Sequence, residues 1–505
     1  MANIITRSSV LALVIETTEG TLKAPSSTGD YIALQTDFAM TPEFEVLTND
    51  EIRSSIAQGK PILGLENPSA NFSHYLRHSG TEGAAANYSK KLLYAAFGGE
   101  EVESTEYNTV NSSTTSVINV DTGEGADFRK GEALLIKDGT NGYSIRPVHS
   151  ISSDALTMGF NIDTAPSSGV NLGKAITYYP ANTGHSTLSL WHYLGNGGAI
   201  QALAGGRVTD CSISFEAGQM INTSYTVEGV SYYFNPFIIT SANKYLDFNQ
   251  GGSELNATVT EAVYKDPHDL ASAVQTAMNA VGTGITVTYS DSTGKFTIVK
   301  ASGTLELLWK TGVHGSDNTD THIGSTLGYT DSANDTGGLT YTADSVIDID
   351  SPQTPSYDDT DPLAAKDNTV FIGDADDNVC FAASSVNFTM STPKADLLSV
   401  CEESGKAGSV ISSREVTIEV SARLAQYDVS KFLRFRENTE TRFMYNFGVK
   451  SGGNWVAGKC GCLYVAAATI SSFEVADEDG LVILNFTLSA FAPSDGTGEV
   501  FLSFV

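Results

Sequence analysis

Five Gly-Lys pairs, Gly59-Lys60, Gly173-Lys174, Gly294-Lys295, Gly405-Lys406 and Gly458-Lys459, are the first places where this sequence could hold a phosphate. A nucleotide-binding loop needs Ser or Thr directly after the lysine to reach the metal ion, and none of the five has it. His74 and His78 stand at an i, i+4 distance, but they sit in a strand-like run where that spacing does not bring two rings onto one metal. Cys460 and Cys462 flank Gly461 without a second Cys or His cluster, so they read as small buried hydrophobes. No G-x-S-x-G elbow presents a serine nucleophile, and the carboxylates of Glu402-Glu403 are adjacent, which points them apart on any regular element. The acidic pairs Asp358-Asp359 and Asp376-Asp377 lack the alternating ligands and glycine of a calcium loop and read as solvated turns. The residues therefore name no catalytic centre, no cofactor and no metal site.

Composition narrows the classes further. The chain has 505 residues, 59 Asp+Glu against 29 Lys+Arg, and a formal charge of -30. Such a field repels nucleic acid and anionic lipid. Five cysteines at low density do not form the disulfide framework of a small secreted domain, which fits assembly in a reducing cytoplasm. The apolar run Val10 to Ile15 stops at Glu16, too short for a signal-peptide core and far below the ~20 residues of a membrane span, so no membrane role is expected. Glycine (47) far outnumbers proline (14), and Ser, Thr, Tyr and Val are plentiful, which favours short strands joined by tight turns. A mainly β protein of several units is the expected fold class.

An ordered internal repeat organises these strands. Phe38, Met40 and Pro42 in Asp37-Phe38-Ala39-Met40-Thr41-Pro42 are echoed by Phe388, Met390 and Pro393 in Asn387-Phe388-Thr389-Met390-Ser391-Thr392-Pro393. A strand-like run follows each: Ala70 to Leu76, and Glu415 to Ala422 with clear alternation. A short helix comes next in both, with Asn87 and Asp428 as candidate N-caps. Its mark is Ser-Lys-x-Leu, as Ser89, Lys90 and Leu92 in the first copy and Ser430, Lys431 and Leu433 in the second. Each copy closes with a hairpin, Cys211–Phe215 with Ile221–Tyr232 and Ile470–Val475 with Leu481–Phe491.

Two blocks interrupt the repeats. Residues 111–180 alternate in two strand-like runs, with turns at Asp138-Gly139 and Asn141-Gly142, as a small β-subdomain would. Residues 236–375 hold 19 Asp+Glu, 6 Lys and no Arg, a shift that marks a separate α+β domain. It opens with the chain's clearest helix, capped by Asp266, started by Pro267 and ended by Gly282, followed by a hairpin from Ile285 to Val299. Asp348 to Asp367, rich in Pro and Asp, reads as a solvated linker back to the repeat. The expected domains are thus 1–110 with 181–235 as the first repeat, 111–180 and 236–375 as insertions, and 376–505 as the second repeat.

The opening Glu16-Thr17-Thr18-Glu19-Gly20-Thr21 with Pro25, together with the repeated unit over 1–235 and 376–505, resembles the tail tube (major tail) proteins of long-tailed double-stranded DNA bacteriophages. The middle block, with Tyr264, Thr288-Tyr289, Gly294 to Ile298 and Leu327-Gly328-Tyr329, resembles a module that recurs in phage structural proteins. The resemblance implies two antiparallel β-sandwich or barrel units, each with a flanking helix, and an inserted decoration domain facing outward. It implies a virion tail protein, assembled in the host cytoplasm, that is not an enzyme and binds no cofactor. Its partner is itself in stacked rings, with tape-measure and tail-terminator proteins at hand and genome DNA sliding through the lumen without specific binding. Most members of the family carry one unit and form hexamers; a fused double would close as a trimer with pseudo-sixfold symmetry. A baseplate or receptor-binding tail protein is the alternative that the same β-rich composition allows.

Overall fold

The computed structural model describes residues 6–25, 29–51, 56–195, 199–345, 354–358, 360–377, 380–423, 429–478, 480–492 and 498–505. The chain is mainly β, with antiparallel sheets and few helices. It divides into two compact units. The smaller comprises Met1–Leu11, Trp191–Leu203 and Tyr232–Thr354; the larger comprises Ala12–Leu190, Ala204–Ser231 and Pro355–Val505. The block 236–375 read from composition overlaps the smaller unit up to residue 354, and its remainder lies in the larger one.

In the larger unit, strand follows strand by antiparallel pairing. Ala39–Thr41 pairs with Ser69–Tyr75, which pairs with Asn222–Glu228, and that strand pairs with the Ala204–Glu216 part of the strand Ala199–Glu216. On its other edge, residues 210–216 pair with Ala383–Ser391. The series continues through Glu415–Arg423, Leu481–Ala490 and Asn454–Glu478 to Thr441–Ser451 and Thr369–Gly373. Asn454–Glu478 also pairs with Phe501–Phe504, which continues through Ala175–Pro180 to Gly98–Glu103. Period-two alternation drives this arrangement, because apolar side chains at every second residue can be buried only on one side of a pleated strand. Gly458-Lys459 lies inside the strand Asn454–Glu478, not in a loop before a helix, so its glycine cradles nothing.

A six-stranded sheet within this unit runs in the order Tyr107–Asn108, Asn171–Leu172, Ala133–Asp138, Gly142–Ser152, Ala155–Met158, Val117–Asn119. Leu134, Ile136, Val148, Leu156 and Leu172 form its core. The two turns expected at 138–142 are one. Asp138 pairs with Gly142, and the Asp138 carboxylate accepts the N–H groups of Thr140 (2.9 Å) and Asn141 (3.1 Å). These bonds, with that from the Asn141 side chain first, hold its carboxyl below the usual range.

The helix Asn87–Phe97 corrects another expectation. Asn87 is its first helical residue rather than its cap, and Ala86 at the cap position offers no side-chain acceptor. Asp358 supplies it from far along the chain: Oδ2 accepts the Asn87 N–H at 3.0 Å and Oδ1 the Asn87 amide at 3.3 Å. Gly98 ends the helix at φ +82, where its N–H reaches the Tyr94 carbonyl. The counterpart helix spans Val429–Glu437, while its candidate cap Asp428 lies outside the described residues.

The segment expected as a solvated linker is partly structural. Among its described residues, the Leu363 N–H donates to the Leu76 carbonyl and the Ile221 N–H donates to the Leu363 carbonyl, with Leu363 itself buried. A single Leu and Ala365 suffice to seat the segment between two backbones despite the surrounding Asp and Pro residues.

In the smaller unit the helix Pro267–Val281 forms as its pattern requires. The Asp266 carboxylate accepts the His268 N–H at 2.7 Å, Pro267 occupies the first turn, and the Gly282 N–H closes on the Met278 carbonyl. Leu270, Val274 and Met278 are buried in a core with Phe248, Phe296 and Trp309. The hairpin Ile285–Ser290 with Lys295–Lys300 and a four-stranded sheet around Tyr245–Asn249 complete it. Among the described residues no helix is long and apolar enough to cross a membrane.

Candidate functional surface on the larger unit

The registers of the larger unit align polar side chains into continuous rows. One row runs Asn71, Thr226, Asp210, Ser391, Glu415. The next runs Ser73, Ser224, Ser212, Thr389, Thr417, Ser489, Thr469. A third runs Tyr75, Asn222, Ser214, Asn387, Glu419, Thr487, Ser472, and a fourth Glu216, Ser385, Ser421, Asn485, Glu474. Residues directly opposite on neighbouring strands project from the same side, so these rows make one face. They contain no aliphatic residue, five carboxylates, and no Lys or Arg.

Neighbouring side chains on this face satisfy one another. Ser73 Oγ meets Ser224 Oγ at 2.9 Å, Thr226 Oγ1 donates to Asn71 Oδ1 at 2.9 Å, Ser421 Oγ donates to Asn485 Oδ1 at 2.7 Å, and Ser472 Oγ donates to Thr487 Oγ1 at 2.8 Å. Cross-strand hydroxyl pairs of this kind contribute about 0.2–1 kcal/mol each. Their larger consequence is chemical: short, mutually bonded side chains under carboxylates offer a polyanion neither a cation nor an apolar foothold.

The alternate residues form the opposite, buried side. His74 stacks on Tyr225 with ring centroids 5.5 Å apart, and Ile213, Phe388, Ile418 and Leu488 continue the same row. Burial pushes the His74 imidazole down to about 4, so it is a neutral core ring whose partner is the Thr223 hydroxyl. His78 makes a bridge to Ala85 instead of sharing a ligand with it. Cys460 and Cys462 are buried, and desolvation raises both thiols, Cys460 to about 12.

The repeat marks fall on both sides of this arrangement. Met40 lies opposite Ala70 and Met390 opposite Val416, both methionines buried, while Phe38 and Phe388 precede them by two residues. Phe388 is fully buried and stacks on Phe97 at 6.3 Å; Phe38 is half-buried with Phe72 at 6.3 Å. Pro42 and Pro393 are exposed. On the helices, Ser89 and Leu92 are buried and Lys90 pairs with Glu100 at 3.5 Å, whereas Leu433 is 44% exposed. Ser430 and Lys431 lie in the second helix, but their side chains are outside the described residues.

Sequence reasoning missed one constellation in the smaller unit. Asp320 and Asp331 bring carboxylate oxygens to 3.6 and 4.0 Å from Nε2 of buried His322. The three could surround a cation, but the Gly324 N–H donates to His322 Nδ1 at 3.0 Å. That bond makes Nδ1 the acceptor, so the neutral ring carries its proton on Nε2, facing the carboxylates. The arrangement fits a shared proton rather than a metal ion. Nearby, Asp247, almost fully buried, holds His314 Nδ1 at 2.9 Å and accepts from Asn256 at 2.7 Å, fixing a ring that stacks on Tyr245. A cleft of about 480 Å³ in the larger unit is lined by Lys90, Lys91 and Tyr94, yet its lysines are engaged with Glu100 and Asp30.

The family model described as phage tail tube protein matches residues 6–279, more than half of the chain. No curated protein matches it.

Proposed function

The chain belongs to the phage tail tube protein family, and from that premise we propose that it self-assembles into stacked rings whose channel is lined by the polar sheet face and conducts genome DNA at ejection. The observation that carries this reading is the composition of the four rows: hydroxyls, amides and the carboxylates of Asp210, Glu216, Glu415, Glu419 and Glu474, with no cation among them. A phosphate backbone passing these four rows is repelled by their charges and finds no Lys or Arg among them; the cations on that side, Arg207 opposite Glu228 and Arg423 opposite Ile483, stand in the rows that flank them.

The second repeat, residues 376–505, lies outside the matched segment, and its proposed equivalence to the first rests on the strand correspondences. Two units per chain would close a six-unit ring with three chains. The smaller unit, in this reading, is a decoration module, and the tape-measure and tail-terminator proteins are the partners of the finished tube in the virion tail.

Replacing Asp210, Glu415 and Glu419 together by Lys tests the lining. Each replacement reverses one charge, and cations on that face would bind phosphate with a strong salt dependence. Particles carrying the variant are expected to eject DNA severalfold more slowly at low salt and to recover at high salt. Unchanged ejection from particles with normal tails contradicts the lining.

A further inference from the structure

In the larger unit Asn67 and Lys406 meet between two hairpins that are far apart in sequence. Asn67 directly follows the hairpin Phe44–Leu47 with Ile62–Glu66, and Lys406 opens the return strand of the hairpin Lys394–Leu398 with Lys406–Ile411. The Glu66 N–H donates to the Ser404 carbonyl at 3.2 Å and docks one hairpin on the other. Backbone bonds hold Asn67 on both sides: its own N–H donates to the Glu43 carbonyl at 2.6 Å, and the Pro68 carbonyl accepts the Gly229 N–H at 2.8 Å. A side chain carried on so constrained a backbone is aimed, and Asn67 Oδ1 accepts from Lys406 Nζ at 2.6 Å.

The same Nζ stands 2.7 Å from Asp396 Oδ2, while Lys394 Nζ binds Asp396 Oδ1. The Lys406 and Lys394 side chains are 1% and 5% exposed, so two buried ammonium groups share one carboxylate. Glu228, half exposed, lies 3.8 Å from Lys394, and Glu43 lines the cleft beside them. Burial works to raise the Asp396 carboxyl, but hydrogen bonds from Lys394 and Lys406 hold it below the usual range, so it stands ionised and able to accept a proton.

An amine held against an amide carbonyl, with a carboxylate in reach of its proton, is a nucleophile already placed on its electrophile. We propose that Lys406 Nζ and Asn67 Cγ join in an isopeptide bond, with Asp396 as the base, and that this bond staples the two proposed repeats together covalently.

Asp396 takes one proton from Nζ, and the freed amine attacks Cγ. The Nζ–Cγ bond forms, the Cγ–Nδ2 bond breaks, and Asp396 passes its proton to Nδ2, which leaves as ammonia. Nζ sheds a second proton on becoming an amide nitrogen, and ammonia carries it away as ammonium. The exchange is redox-neutral and requires no co-reactant. The leaving group has an exit, because Asn67 is exposed and lines a polar cleft of about 340 Å³ with Lys394 and Asp396. Bond formation also corrects the charge balance: it removes the Lys406 ammonium and leaves Lys394 and Asp396 as a matched buried pair.

Mass spectrometry of the purified full-length chain tests the bond. The expected intact mass is that of the sequence less one ammonia. A tryptic digest is expected to yield a branched peptide that joins the segment holding Asn67 to the segment holding Lys406, uncut after Lys406. Lys406→Met is expected to have the full mass of its own sequence, and Asp396→Asn to form the bond on the order of a hundredfold more slowly, as loss of a general base does. Should either variant fail to fold, the digest of the unmodified sequence decides alone. A chain that keeps its full sequence mass after prolonged incubation at mildly alkaline pH overturns the proposal. So does an ammonia loss confined to unbranched peptides, such as a succinimide at Asn141-Gly142 would give.

Discussion

In the proposed repeat Phe388 and Phe38 are counterparts, but among the described residues only Phe388 lies in a strand paired on both sides, and the difference has a magnitude. Phe388 is fully exposed to no solvent, faces Ile213 and Ile418 in register, and packs its ring 6.3 Å from that of Phe97. Truncating a fully buried Phe to Ala costs about 3–5 kcal/mol, the lost transfer energy plus the cavity. Phe38 is half-buried, so Phe38→Ala should cost roughly half as much in the unassembled chain. Thermal unfolding of monomers is expected to shift down by roughly 6–10 °C for Phe388→Ala, taking the lower end of the usual shift per kcal/mol for so large a unit, and by a few degrees for Phe38→Ala. Equal shifts for the two variants would refute the reasoning, because the two rings differ in burial.

Three other outcomes follow from individual residues. Asp266→Ala removes the acceptor for the His268 N–H and is expected to destabilise the smaller unit by about 1 kcal/mol, measurable by hydrogen exchange of the Pro267–Val281 amides in increasing denaturant. Gly131→Ala is expected to abolish soluble expression or lower the unfolding temperature sharply, because its φ of +88 suits only glycine and a Cβ would stand 2.2 Å from the Phe501 ring. Burial raises the Glu132 carboxyl to about 8, with Glu103 and Glu101 adding to the shift, so the fold holds its proton more tightly than the unfolded chain does. Its contribution is then fully present below the unfolded carboxylate range and lost as pH rises toward 8; Glu132→Gln should flatten that decline, and a melting profile with the same slope from pH 5 to 8 in both proteins would contradict it.

Local patterns were legible in the sequence where a few adjacent residues decide the structure. The helix Pro267–Val281 has its cap, its proline and its closing glycine within the segment itself, and the hairpin after it carries its own turn. The alternation of Glu415–Arg423 likewise announced one buried and one polar side. What the sequence withheld depends on distant partners. Asn87 looked like a cap because the true acceptor, Asp358, is separated from it by most of the chain. Residues 360–367 looked solvated because their seat between the 76 and 221 backbones has no local signature. The long strand Asn454–Glu478 was seen only at its end, since its Gly458, Gly461 and alanine-rich centre carry little strand propensity. The polar face itself was invisible: each row borrows one residue from each of several strands, and only the register between them makes a surface.

End-on averages of purified tubes by electron microscopy test the central claim most directly, because they count chains and units in one image. The account expects a hollow ring of six β-units with three smaller units around it, one per chain. A ring with six of the smaller units, or particles that form no ring, would contradict it.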